Sequence, residues 1–230
     1  MSVAALSAVY LVFRAFPTFP MIGVGAFRAS DILPSILCIL FGPFVAVTSI
    51  LIGTLLSFFS VAPPLFLGLD FLPATVNATV VGAVLKKKRM VPAGIFLSLI
   101  FLLSSHPYGA AFARGGVPFL WLHLIAFLLL VSPVSPRCPE WLKEPSHTSP
   151  FAAFAVLTFI GTMAQHVTGS LLTASLYSGV IAKQGALAYW SVVFYLYPVE
   201  RLVIVAASTF IGVAVFKAMR RTTLRDVLNA

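Results

Sequence analysis

Glu200 and Arg201 stand side by side in YPVERLVIVAASTFIG, in a stretch that is otherwise almost wholly apolar. A charged group at the centre of a bilayer costs roughly 2.5 to 3.5 kcal/mol on insertion scales, so it persists where it pairs, stays wet or binds something. Neighbours on a helix point about 100° apart, so these two are poorly placed to neutralise each other and each is expected to need a partner from another helix or from a ligand. Gln165 and His166 interrupt a second apolar run, GTMAQHVTGSLLT. Arg28 and Asp31 open FRASDILPSILCILF, while Asp70 opens LDFLPATVNATVV and is followed two helical turns later by Asn77 on the same face. Carboxylates, guanidinium groups, amides and an imidazole on separate apolar segments suit hydrogen-bonded capture of a polar small molecule. His106, His123, His147 and His166 show no metal-ligand spacing, so neither a metal nor another cofactor is expected. The expected substrate-binding residues are Arg28, Asp31, Asp70, Asn77, Gln165, His166, Glu200 and Arg201. Trp190, Tyr195 and Tyr197 near the mouth of such a site would suit a polar ring compound. Taken singly, Arg28, Asp31 and Asp70 also suit snorkelling to a membrane interface, and His166 suits a structural hydrogen bond.

The segments that must position these groups belong to one class. Hydrophobic residues make up 60% of the 230, charged residues 9%, and the mean hydropathy is +1.05. These values describe an all-α, multi-spanning membrane bundle and leave no room for a soluble domain. The formal net charge of +9 falls in short loops between apolar runs, where it reports topology rather than nucleic-acid binding. Cys38 and Cys138, one in a helix and one in a loop, read as free thiols. The first apolar run follows no basic region and no obvious cleavage site, so it is expected to be a retained helix.

In chain order, Ser2 to about Phe16 reads as a short or tilted span. Phe16 to Phe27, with Pro17, Pro20, Gly23 and Gly25, reads as a substantial external loop. A short helix from about Ser30 to Phe41 turns at Gly42-Pro43 into a full span ending near Val61. Gly42, Ala46, Ser49, Gly53, Ser57 and Ser60 form a stripe of small residues on that span, where another helix can approach closely. A fourth span covers about Leu69 to Leu85 and ends in Lys86-Lys87-Lys88-Arg89. Val91 to Ser105 and Pro118 to Ser132 are two more apolar runs. Pro133 to Pro150 reads as a polar linker, Phe151 to Ser175 as a seventh span, and Trp190 to Ala218 as the last, helical from Pro198.

About eight spans with the N-terminus inside place Lys86, Lys87, Lys88, Arg89, Arg137, Lys143, Lys217, Arg220, Arg221 and Arg225 on the cytoplasmic face. Arg14, Arg28, Arg114, Lys183 and Arg201 then lie outside or in the bilayer, which satisfies the positive-inside rule. The expected setting is the plasma membrane of a prokaryote, with both termini cytoplasmic. The candidate polar groups of four helices then fall at one level, as a pocket open to the outside.

The order of these features resembles the membrane-embedded substrate-binding (S) component of an energy-coupling factor transporter. The resemblance rests on Ala4-x-x-x-Ala8, the Pro/Gly-rich first loop, FRASDIL, FGPFVAVTSILIG, LDFLPATVNATVVGAVLKKKR, AQHVTGSLL and YPVERLVIVAASTFIGVAVFKAMRR. It implies a single membrane domain over 1–230, with a six-helix core from 1–90 and 150–220, an inserted two-helix hairpin at 91–132 and a cytoplasmic linker at 133–149. It also implies capture of a small nutrient, a vitamin or its precursor, with the first loop as lid. The Ala4/Ala8 face and the small-residue stripe would contact a transmembrane coupling subunit driven by two ATPase subunits. The chain itself has no G-x-x-x-x-G-K-[ST] phosphate loop and is read as a binding protein, not an enzyme.

Other readings stay open. A self-sufficient proton-coupled secondary transporter would use Asp31, Asp70 and Glu200. An intramembrane enzyme would have His166 with Ser170 at i+4, or Glu200 alone. Ala113-Arg114-Gly115 matches a tripeptide of coupling subunits but lies on the expected outer side.

Overall fold

The computed structural model describes residues 3–61, 63–144 and 148–221. His147 and Arg225 lie outside the described residues. Helices α1 (Val3–Arg14), α2 (Leu33–Phe41), α3 (Pro43–Ser60), α4 (Phe71–Leu85), α5 (Met90–Ser105), α6 (Ala111–Arg114), α7 (Trp121–Val131), α8 (Cys138–Trp141), α9 (Ser149–Leu176), α10 (Ser178–Gln184) and α11 (Ala186–Arg220) build the bundle. A small antiparallel hairpin, β1 (Pro17–Met21) and β2 (Gly25–Arg28), sits after α1.

The centre is α9, which packs against α4, α11, α5, α7 and α8. Its interior face carries Thr158, Thr162, Gln165 and His166. The outer surface is apolar instead: Phe44 and Phe59 of α3, Phe101 of α5, Leu128 of α7 and Phe210 of α11 are all exposed. Polar groups inside and large apolar groups outside are what a bilayer selects, because lipid solvates the apolar chains and every backbone polar group must be satisfied internally. Among the described residues three helices, Pro43–Ser60, Ser149–Leu176 and Ala186–Arg220, are long and apolar enough to cross a membrane. A fourth candidate is the pair Trp121–Val131 and Ser135–Trp141, bent by 58°. The expected count of about eight is not reached by length, since Val3–Arg14, Ala29–Phe41, Phe71–Leu85 and Met90–Ser105 are shorter apolar helices.

Four sequence expectations are corrected. The first loop is a β-hairpin. Val24 N donates to Met21 O at 3.0 Å, and Gly23, at φ +68°, supplies the left-handed residue of its three-residue turn. Both strands are edges, the sheet position in which prolines such as Pro17 and Pro20 are tolerated.

The small-residue stripe of α3 is covered within the chain by α1. A Cβ on Gly53 would lie 2.8 Å from Ser7 O, and Ser49 Oγ donates to Val3 O at 3.4 Å. The stripe is therefore not free for a coupling subunit, whereas Ala4 and Ala8 are exposed.

The described part of the linker, residues 133–144, is folded. Pro136 and Pro139 fall in the first turns of a 3-10 helix (Ser135–Arg137) and of α8, where proline is compatible. Ser135 and Cys138 are buried, and Ser135 Oγ donates to Leu130 O at 2.6 Å.

Finally, α11 runs unbroken through Pro198. An internal proline costs roughly 3 kcal/mol, but tertiary bonds hold the turns around it. Trp190 Nε1 donates to Tyr108 O and Tyr197 Oη to Phe119 O, both at 2.7 Å.

Two further ties close the end of the bundle that carries the Lys86 cluster. Lys87 Nζ meets Glu140 Oε1 at 2.7 Å, and that hydrogen bond holds the exposed Glu140 carboxyl below the usual carboxylate range. Arg220 donates to the carbonyls of Leu142 and Glu144, fastening the end of α11 to the residues after α8.

Candidate binding pocket

The hairpin, the 63–70 segment and the facing ends of α9 and α11 enclose a cavity of about 420 Å³. Arg28, Asp31, Asp70, Gln165, His166, Glu200 and Arg201 all line it, so seven of the eight sequence candidates converge there. Asn77 lies one layer beneath. It accepts from Ser35 Oγ at 2.7 Å and donates from Nδ2 to Gln165 Oε1 at 2.9 Å, and Gln165 Nε2 in turn donates to Asp31 Oδ1 at 2.8 Å. This row of side chains crosses α2, α4 and α9 to the 3-10 turn Ala29–Ile32. It sets the floor of the cavity.

Close packing makes that floor possible. Gly161 faces the same layer, where a Cβ would stand 2.8 Å from both Ser35 Oγ and Val81 Cγ2.

Asp70 faces the cavity but is already occupied. Its two oxygens accept from Leu65 N and Phe66 N at 2.9 Å each, and Arg14 Nη2 stands 3.7 Å away. It shapes the 63–70 segment, which Tyr177 also holds by donating from Oη to Leu65 O.

Arg201 is the opposite case. Only 1% of it is exposed, its guanidinium carbon lies 4.2 Å over the Phe27 ring, and Glu200 Oε2 is 3.6 Å from Nη2. The neighbours on α11 therefore approach one another after all, though beyond hydrogen-bond length. Arg201 Nε and Nη2 have no hydrogen-bond partner among the described residues. Buried donors without a hydrogen bond are costly, and the ion pair with Glu200 offsets part of that cost.

The wall beside Arg201 is aromatic. His166 stacks on Tyr197 with centroids 4.7 Å apart at 14°, and both line the cavity with Tyr189 and Trp190. Behind them His123 Nε2 meets His166 Nδ1 at 2.9 Å, with Phe119 against both rings. His123 and Phe119 were missed in the sequence because they sit in an apolar run 43 or more residues from His166, with no spacing signal. They make 91–132 part of the wall's support, through α5 and α7 packed on α9. Tyr195, in contrast, is exposed and does not line the cavity. Gly23 at the hairpin tip is so close to α10 that a Cβ would lie 2.9 Å from Gln184 Nε2, and Gly25 leaves room for Leu65. The hairpin thus spans the cavity from α10 to the 63–70 segment.

Fold and site together define a helical protein of membrane character with a ligand-sized, mixed polar and aromatic pocket at one end. No protein-family model, curated protein or solved structure matches the chain.

Proposed function

We propose that this protein is the substrate-binding subunit of an ATP-driven uptake transporter of the energy-coupling factor type, capturing a small nutrient at the outer face of a prokaryotic plasma membrane. The observation that carries the reading is the cavity of about 420 Å³ under the hairpin, lined by Arg28, Asp31, Asp70, Gln165, His166, Glu200 and Arg201 from separate elements. A pocket of this size with few convergent polar groups suits one small molecule. The hairpin fits the part of a lid, as the resemblance implies for the first loop. Exposed Ala4 and Ala8 on α1 offer a small-residue face to a transmembrane coupling subunit. ATP hydrolysis would belong to two separate ATPase subunits, and both termini would be cytoplasmic in a bundle of about eight spans.

Affinity capture of the tagged protein from its native membrane, followed by mass spectrometry, tests this. A co-purifying membrane subunit and two ATPases support it. A lone protein that accumulates solute in sealed vesicles supports the proton-coupled secondary transporter instead, a reading that the cavity-lining carboxylates Asp31 and Glu200 favour.

A further inference from the structure

We infer that the end of the bundle carrying the Lys86 cluster holds an anionic phospholipid of the adjoining leaflet, with its phosphate on the turn between α4 and α5 and one acyl chain along the outer face of α5. The inference is independent of what the pocket binds.

Four cations in a row, Lys86, Lys87, Lys88 and Arg89, fill that turn. It is a compact helix stop: Lys88 N donates to Ala83 O at 2.8 Å and Lys87 N to Val84 O at 2.9 Å, the bond pair of a left-handed C-cap. The left-handed position, commonly glycine, is Lys87 at φ +57°. A side chain kept there against the backbone preference points to a use for it. Lys87 Nζ meets Glu140 Oε1 at 2.7 Å, which neutralises the carboxylate lying between Arg137 and Lys143 and joins two basic segments into one patch. Lys86, Lys88, Arg89, Arg137 and Lys143 are exposed and form no ion pair among the described residues. Because α5 starts directly after Arg89, its positive helix end adds to the same field. Basic patches of this kind at a membrane boundary attract anionic headgroups.

Hydrocarbon begins where the charge stops. Met90, Gly94, Leu97 and Phe101 follow at helical spacing on one face of α5, and Met90 is 78%, Leu97 56% and Phe101 68% exposed. Nothing lies within 4 Å of a Cβ built on Gly94, so the stripe has a notch there. From Met90 to Phe101 it rises about 16 Å, close to half of a hydrocarbon core about 30 Å thick. A phosphate on the cations with a chain of one leaflet beneath it fits both features. An acidic soluble protein would meet the charges and leave the stripe uncovered.

The test is native mass spectrometry of the detergent-purified full-length protein titrated with dioleoyl phosphatidylglycerol, dioleoyl phosphatidylcholine or glycerol 3-phosphate. Phosphatidylglycerol should be held more tightly than the other two. Lys86→Gln/Lys88→Gln/Arg89→Gln should erase that preference, at about fivefold for each cation removed. Lys217→Gln/Arg221→Gln, which takes charge from the same end of the bundle, should keep it. Gly94→Phe should fill the notch and weaken phosphatidylglycerol binding. Equal affinity for the two lipids overturns the proposal, as does glycerol 3-phosphate held as tightly as the lipid, which would make the turn a site for free phosphate. An equal loss in the α11 variant would reduce the effect to diffuse attraction and overturns it too, as does unchanged binding in Gly94→Phe. A triple variant that keeps phosphatidylglycerol but loses a protein partner in the capture experiment would make the turn a protein-docking surface instead. Should a variant fail to fold, the comparison of the two lipids on the unaltered protein still decides.

Discussion

Gln165 and Asp31, 134 residues apart in the chain, are joined by a 2.8 Å hydrogen bond from Nε2 to Oδ1. The other end of the same amide accepts from Asn77 at 2.9 Å, so Gln165 is held at both ends and Asp31 is presented to the cavity from a fixed base. The geometry ties the pocket floor to the packing of α2, α4 and α9.

Gln165→Leu should therefore weaken fold and site together. It leaves the Asn77 amide and the Asp31 carboxylate each short of a partner, at about 1 to 3 kcal/mol per stranded group. A lower thermal midpoint in nanodiscs, with weakened ligand binding, is expected. An unchanged midpoint would show that water replaces the amide at no loss.

Gly161→Val should destabilise by about 1 to 3 kcal/mol, because the first added carbon already crowds Ser35 and Val81. Gly94→Ala on α5 is the control. Nothing lies within 4 Å of its added carbon, so the midpoint should hold or rise slightly.

Tyr177→Phe removes the hydroxyl that holds the Leu65 carbonyl. Hydrogen exchange should quicken in residues 63–70, while the α4 and α9 cores keep their protection. No change in that segment would mean that the Asp70 carboxylate holds it unaided.

Glu140 carries a pH signature. Lys87 lowers its carboxyl below the unfolded range, so the pair contributes stability above that range, and the contribution fades as pH falls from the unfolded range through the lowered folded one. Wild type should unfold slightly above Glu140→Gln at about pH 7 and converge on it only well below the ordinary glutamate range of about 4, with the gap narrowed by salt. A gap that persists in acid would assign the effect to packing of the side chain.

Several elements were legible in the residue order because their signals are local. Gly42, at φ +83°, and Pro43 in the first turn of α3 mark the break between α2 and α3 wherever the helices lie. The candidate polar residues stood out because each breaks an apolar run, and seven of them do line one cavity. Pro198 misled for the same reason. Its local penalty is real, but the bonds that carry the helix through it come from Tyr108 and Phe119, elements remote in sequence.

The sequence by itself determined the apolar class of the chain, most helix ends and the short list of side chains able to bind a ligand, since composition, breakers and ionisable residues act over a few positions. Tertiary structure alone decided which of those groups are spent and which stay open. Asp70 is consumed by two backbone amides, α1 rather than a partner covers the stripe on α3, and His123 backs His166 from a segment with no motif. Arg201 ion-pairs with its neighbour Glu200 yet keeps two buried donors without a hydrogen bond among the described residues. Hydrogen-bond satisfaction depends on what lies within about 3 Å in space, and adjacency along the chain does not encode it.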